Sequence, residues 1–163
     1  MIFINADEVA KGLPGYPSRA VDVQAGRLVR NRMDELEKAR LDFAVETTLT
    51  SRSLVARIQR LRGSGYFFRL IFIWLPSADL AVQRVAERVR RGGHHIPEET
   101  IRRRYGAGVR NFFSLYQPTA DHWGLYENTT PGDPPLIIAE GIMRSDVRIY
   151  EPHLWQLAQQ GGM

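Results

Sequence analysis

Apolar positions along the chain alternate between two rhythms. Residues 1–5 are apolar and β-prone, then break at Asn5-Ala6-Asp7, which predicts a strand running into a polar turn. Gly12, Pro14, Gly15, Pro17 and Ser18 mark a loop over 11–19. Val21, Ala25, Leu28, Val29, Met33 and Leu36 recur at helical spacing, so a helix is expected from about 20 to 40. A short apolar run then ends in Glu46-Thr47-Thr48 and reads as a buried strand over 42–45. Ser51 or Ser53 can cap a helix whose Leu54, Val55, Ile58 and Leu61 share a face, and Gly63 and Gly65 end it.

Tyr66 to Leu75 is the strongest strand signal. Its apolarity is nearly continuous, which predicts a strand covered on both faces. Pro76-Ser77 opens a helix with Val82, Val85 and Val89 on one side, and Gly92-Gly93 stops it. Pro97-Glu98-Glu99 starts another, with Ile101, Tyr105, Val109, Phe112 and Tyr116 on its apolar face. Strands are expected near 124–127 and 136–139. A last helix is expected to carry Val147, Tyr150, Leu154, Leu157 and Ala158. Strands alternating with helices argue for an α/β fold with a mostly parallel sheet flanked by helices. No repeat or linker is visible, so 1–163 is read as a single domain. Trp74, Trp123 and Trp155 sit at core spacing.

Composition narrows the chemistry. With 44% apolar and 25% charged residues, the 163-residue chain reads as globular. Zero cysteines exclude disulfides and thiolate chemistry. No apolar run is long enough for a membrane helix, and residues 1–7 do not read as a signal peptide, so a cytoplasmic location is expected. Of 22 basic residues only Lys11 and Lys38 are lysine. Neither stands in Gly-Lys-Ser/Thr, so these residues contain no Walker A loop.

Net charge is +4, but residues 84–110 hold eight arginines against three glutamates, a local +5. Such a patch suits an anionic partner. Arg84, Arg88 and Arg91 share a helix face, and Arg102, Arg103 and Arg104 lie just past Gly92-Gly93. Arginines around a glycine hinge suit a lid, about 84–104, that closes over phosphates, though a solvated face gives the same pattern. His94-His95 has no matching cluster elsewhere, so no metal site is assigned.

Two carboxylates follow expected strands, Asp7 and Glu46. Ligands of open α/β sheets bind beyond the carboxyl ends of the strands. If the two strands are neighbours, one acid can accept a hydroxyl proton while the other holds that hydroxyl. Asp7 as a turn or cap residue and Glu46 bonded to backbone remain the bland alternatives. Thr47 is either a ligand group at the same strand end or a capping residue.

Several segments together resemble the zeta toxin family of P-loop kinases, in the branch labelled predicted ABC-type ATPase. They are Phe3-Ile4-Asn5-Ala6-Asp7-Glu8, Phe43-Ala44-Val45-Glu46-Thr47-Thr48-Leu49, Trp74-Leu75-Pro76-Ser77, Arg84 to Val89 with Gly92-Gly93-His94, Ile101 to Tyr105, and Leu136 to Gly141. The resemblance implies a P-loop kinase fold and transfer of the ATP γ-phosphate, with Mg²⁺, to a hydroxyl of a UDP-N-acetyl-amino sugar. It implies Asp7 as general base and Glu46 with Thr47 as the acceptor-binding residues. It implies Arg88 and Arg91 as lid arginines that neutralise phosphates, with Arg84 and Arg103 as further phosphate-binding candidates.

The chain departs from the pattern because it begins at the Asn-Ala-Asp segment. Its expected fold therefore lacks the family's first βα unit, with the Walker A lysine and hydroxyl. ATP and Mg²⁺ belong to the family's chemistry, but the groups that hold them are missing from these residues. The expected partners are a sugar nucleotide and an antitoxin or P-loop-bearing protein, with nucleic acid ranked last and no membrane. A catalytically degenerate relative that only binds a sugar nucleotide or a protein is the alternative.

Overall fold

The computed structural model describes residues 1–142 and 146–161. The chain divides into two compact units, Met1–Thr47 and Thr48–Met163.

The first unit is a parallel strand pair joined through two helices. Strand β1 (Ile2–Ile4) leads into helix α1 (Ala6–Lys11), then α2 (Arg19–Lys38), then strand β2 (Phe43–Val45). The strands pair in register Ile2 with Phe43 and Ile4 with Val45. The ladder extends one step beyond each end, where Ile2 N–H donates to the Asp42 carbonyl and Glu46 N–H to the Ile4 carbonyl. Helix α2 forms because Ser18 caps it and an apolar stripe recurs every three or four residues. Val21, Ala25, Val29, Met33 and Leu36 are buried, whereas Leu28 is exposed, so the stripe is narrower than the spacing suggested. Ala10 of α1 packs with Val21 and Ala25, flanked by Val9, Leu13 and Tyr16.

Helix α1 replaces the polar turn expected after β1. Asn5 has extended backbone, and its side chain accepts from the N–H groups of Asp7 and Glu8, satisfying donors a new helix leaves open.

The second unit holds helix α3 (Arg52–Gly63), strand β3 (Arg69–Trp74), α4 (Ala78–Arg90) and α5 (Glu98–Asn111). A π-turn over Phe112–Tyr116 and a 3₁₀ turn over Gln117–Thr119 follow. Then come β4 (His122–Glu127), β5 (Leu136–Ile142), β6 (Asp146–Ile149) and α6 (Pro152–Gly161). The sheet order is β3-β4-β5-β6. Strands β3 and β4 are parallel, and β5 and β6 add antiparallel ladders. The fold is α/β as expected, but this sheet is mixed.

Its core lies on one face of the sheet. Leu70, Trp74, Trp123, Leu125, Ile138 and Ala139 pack with Ile58 of α3, Val109 of α5, Phe112 and Tyr116 of the π-turn, and Ala158 of α6. Rings interlock there. Phe72 stacks on Phe112 at 4.8 Å, and Trp123 stacks on Trp155 at 5.8 Å. Trp74 and Trp123 are buried in this core and Trp155 packs half-buried against it, in keeping with their spacing.

Two expectations change. Strand β3 is not covered on both faces, because Ile71 and Ile73 are 58% and 46% exposed while Leu70 and Trp74 are buried. A continuous apolar run cannot distinguish one buried face from two. The last helix begins at Pro152 rather than near Val147, since Val147 pairs with Gly141 in β6. Tyr150 and Glu151 N–H both donate to the Ile138 carbonyl, which ends the strand, and Pro152 suits a first helical position. No helix among the described residues is long and apolar enough to cross a membrane.

Candidate functional site

In the first unit, β1 and β2 end side by side and each delivers a carboxylate. Asp7 lies in the first turn of α1, and Glu46 is the first residue after β2. Both are exposed. Asn5 joins them. Its Oδ1 accepts from Asp7 N–H at 2.8 Å and Glu8 N–H at 3.2 Å. Its Nδ2 donates to Glu46 Oε2 at 2.7 Å. The cap of α1 is therefore Asn5 and not Asp7, and the Glu46 carboxylate meets a side-chain amide. Thr47 is exposed directly after Glu46. The neighbouring Thr48 hydroxyl lies 3.1 Å from that of Thr50.

In the second unit, Ser77 caps α4 by accepting from Leu80 N–H. The helix ends at Arg91, followed by Gly92 at φ +87°. Gly93 then turns back so closely that a Cβ would lie 2.7 Å from Arg88 Cγ. The glycines thus wrap the chain around Arg88. Arg88 and Arg91 are exposed, as is Arg103 on α5. Arg84 is committed differently. Its guanidinium donates to the carbonyls of Asn128 and Thr129, tying α4 to the segment after β4. Arg102 bonds to both Glu98 and Asp79, which joins the first turns of α5 and α4 and raises its pKa through those hydrogen bonds.

Two residues carried no signal in the chain pattern. Asn5 was legible only as part of a polar break, although Asn before a helix is a strong cap. Glu127 stands opposite Trp74 in the register at the carboxyl ends of β3 and β4. Glu127 Oε1 is a buried polar atom without a hydrogen-bond partner among the described residues, while Trp74 Nε1 has the Tyr105 hydroxyl beside it.

Residues 1–129 match the sequence profile of the family described as Zeta toxin. The chain belongs to the zeta toxin family. An uncharacterized protein of Haemophilus influenzae is 28% identical over 104 residues, which is 64% of this chain and 74% of that protein. A solved chain from the PezAT chromosomal toxin–antitoxin system of Streptococcus pneumoniae has a similar fold. The TM-score is 0.58 at 14% identity, covering 98% of this chain and 73% of that one.

Zeta toxins are an ATP-using family, and ATP–Mg²⁺ requires a phosphate cradle and a cation site. Among the described residues four connections lead from a strand to a helix, at residue 5, at 46–51, at 75–77 and at 150–151. None contains a glycine. Lys11 is exposed and paired with Glu8 at 2.5 Å, and Lys38 lies in the last turn of α2. Among the described residues no group of three or more His, Asp or Glu could hold a metal ion. These residues do not fit an ATP–Mg²⁺ cradle, which needs backbone amides wrapped around the phosphates and a lysine beside them.

Proposed function

We propose that this zeta toxin chain supplies the acceptor side of a phosphotransfer to a hydroxyl of a small molecule, a UDP-N-acetyl-amino sugar. Asp7 accepts the proton of that hydroxyl, as a general base placed at a strand end can. Glu46, with Thr47, binds the acceptor and turns its hydroxyl towards Asp7. Arg88 and Arg91 provide positive charge for phosphate oxygens, and Arg103 adds to it. Arg84 contributes by fixing α4 through the 128–129 carbonyls, or directly once released from them. In this proposal 84–104 acts as the lid. The groups that hold ATP and Mg²⁺ come from sequence outside these 163 residues, in the same polypeptide or in a P-loop-bearing partner. An antitoxin is the further partner suggested by the toxin–antitoxin system whose fold it shares.

One observation carries the proposal. Two exposed carboxylates emerge just past the carboxyl ends of adjoining parallel strands, and the Asn5 amide bonds the Glu46 carboxylate while capping the helical turn that carries Asp7. Titration calorimetry with UDP-N-acetylglucosamine and, separately, ATP–Mg²⁺ tests it. The sugar nucleotide is expected to bind this chain and ATP–Mg²⁺ is not. ATP binding without sugar-nucleotide binding contradicts it.

The absence of Gly-Lys-Ser/Thr favours a second reading, a relative that binds the acceptor without phosphorylating it. Translating the gene on the 5′ side of the Met1 codon separates the two. An in-frame Gly-x-x-x-x-Gly-Lys-Ser/Thr supports the enzyme, and a stop codon with no such motif supports the binding protein.

A further inference from the structure

We propose that Asn5 is the positioning residue of the acceptor site. It holds the Glu46 carboxylate in place and sets it relative to Asp7. This rests on the roles proposed for those two acids.

The amide can sit only one way round. Oδ1 faces two backbone N–H donors, those of Asp7 and Glu8, and Nδ2 faces the Glu46 carboxylate. Flipping it would place its oxygen against a carboxylate and its NH₂ against N–H groups, so every contact would turn repulsive. A donor to an ionised oxygen at 2.7 Å is a charge-assisted bond, about twice as strong as a neutral one.

The backbone holds the amide on both sides. Asn5 follows Ile4, whose carbonyl accepts from Glu46 N–H at 3.0 Å, so the two residues sit at adjacent strand ends. On the other side, the capping bonds tie Asn5 to the first turn of α1, where Asp7 lies. A single side chain therefore links β1, β2 and α1 at the point where both acids emerge. Glu46 is exposed, and a long exposed side chain would otherwise sample many rotamers. Asn5 removes that freedom before any acceptor arrives, which is how preorganisation raises affinity.

Capping and positioning can be separated by substitution. Asn, Asp and Ser are nearly equal as helix caps. Only Asn also offers a donor to Glu46. Asn5→Ser and Asn5→Asp thus keep the cap and remove the amide donor, one without adding charge and one with it. Thermal melting, calorimetry with UDP-N-acetylglucosamine and the NMR signals of the Asn5 side-chain amide test the proposal. Asn5→Ser is expected to melt close to the parent chain and Asn5→Asp lower, because its carboxylate faces Glu46, while both bind the sugar nucleotide about tenfold or more weakly. Parent-like binding by both variants overturns the positioning role and leaves the acceptor proposal standing. If the parent chain binds no sugar nucleotide, the acceptor proposal falls and the amide decides the rest. A downfield Nδ2 proton that moves to an ordinary shift in Glu46→Ala supports positioning, and one that does not move overturns it.

Discussion

Asp121 shows how much of this molecule depends on single charged groups. Arg62 donates through Nε and a terminal nitrogen to its carboxylate, and Phe68 N–H donates at 2.7 Å. These contacts tie the end of α3 to the segment before β3 and to the start of β4. The Arg62 hydrogen bonds hold the Asp121 carboxyl below its ordinary 3.8, against the opposing effect of burial. A carboxyl lowered on folding gives stability that is present above its unfolded value and lost as pH falls through the folded one. Urea unfolding is therefore expected to show stability declining below about pH 4, with a shallower decline in Asp121→Asn. That variant is also expected to lose about 1–3 kcal/mol at neutral pH, because Arg62 loses its counter-charge and one acceptor oxygen becomes an NH₂ group. At the alkaline end, burial pushes Tyr116 up to about 12, so its contribution is lost as pH rises from its unfolded value through about 12. The proposed roles of the two strand-end acids also differ in what they predict. Glu46→Gln is expected to weaken sugar-nucleotide binding about tenfold, while Asp7→Asn leaves it within about threefold and acts on transfer instead.

At the scale of elements, α5 offers a test of sign. Glycine in a helix usually costs up to about 1 kcal/mol relative to alanine. Gly106 is near only the mobile tip of Arg110, so Gly106→Ala is expected to stabilise by that amount. Gly108 instead lies against the chain after β2. A Cβ there would sit 2.8 Å from the Thr48 carbonyl oxygen, which is backbone and cannot swing away. Gly108→Ala is expected to destabilise by about 1–3 kcal/mol, reversing the usual effect. Equilibrium unfolding of the two variants checks both signs, and two stabilising results would contradict the close approach.

Long elements were readable in the sequence because periodicity accumulates over many residues, as in α2 and α5. Short ones depended on neighbours. Helix α1 has six residues and is started by one side chain, so its pattern was too brief to separate from a turn. Strand β6 exists because it pairs with β5, and Val147 and Tyr150 fit a helical face equally well. The candidate acids were legible because each lies within three residues of the end of an apolar strand run. Asn5 and Glu127 were not, since their meaning lies in partners far along the chain or in the register of two strands.

At the scale of the whole molecule, the four-stranded sheet is asymmetric. One face is closed by helices and rings, and the other leaves Ile71, Ile73 and Ile142 exposed. Parallel strands are usually buried on both faces, so β3 with its bare face departs from the norm. Stability should reflect this. Ile71→Thr and Ile73→Thr are each expected to change unfolding free energy by no more than about 0.5 kcal/mol. Leu70→Ala, one residue away on the covered face, is expected to cost about 2–5 kcal/mol. Equal losses at the three positions would show that both faces are packed.

The proposed role of this zeta toxin chain is the acceptor side of phosphotransfer, with ATP held elsewhere. Calorimetric titration of UDP-N-acetylglucosamine into the parent chain and into Glu46→Gln tests that most directly. Saturable binding to the parent is expected, weakened about tenfold by the substitution. No binding to the parent, or binding that is unchanged in Glu46→Gln, would contradict it.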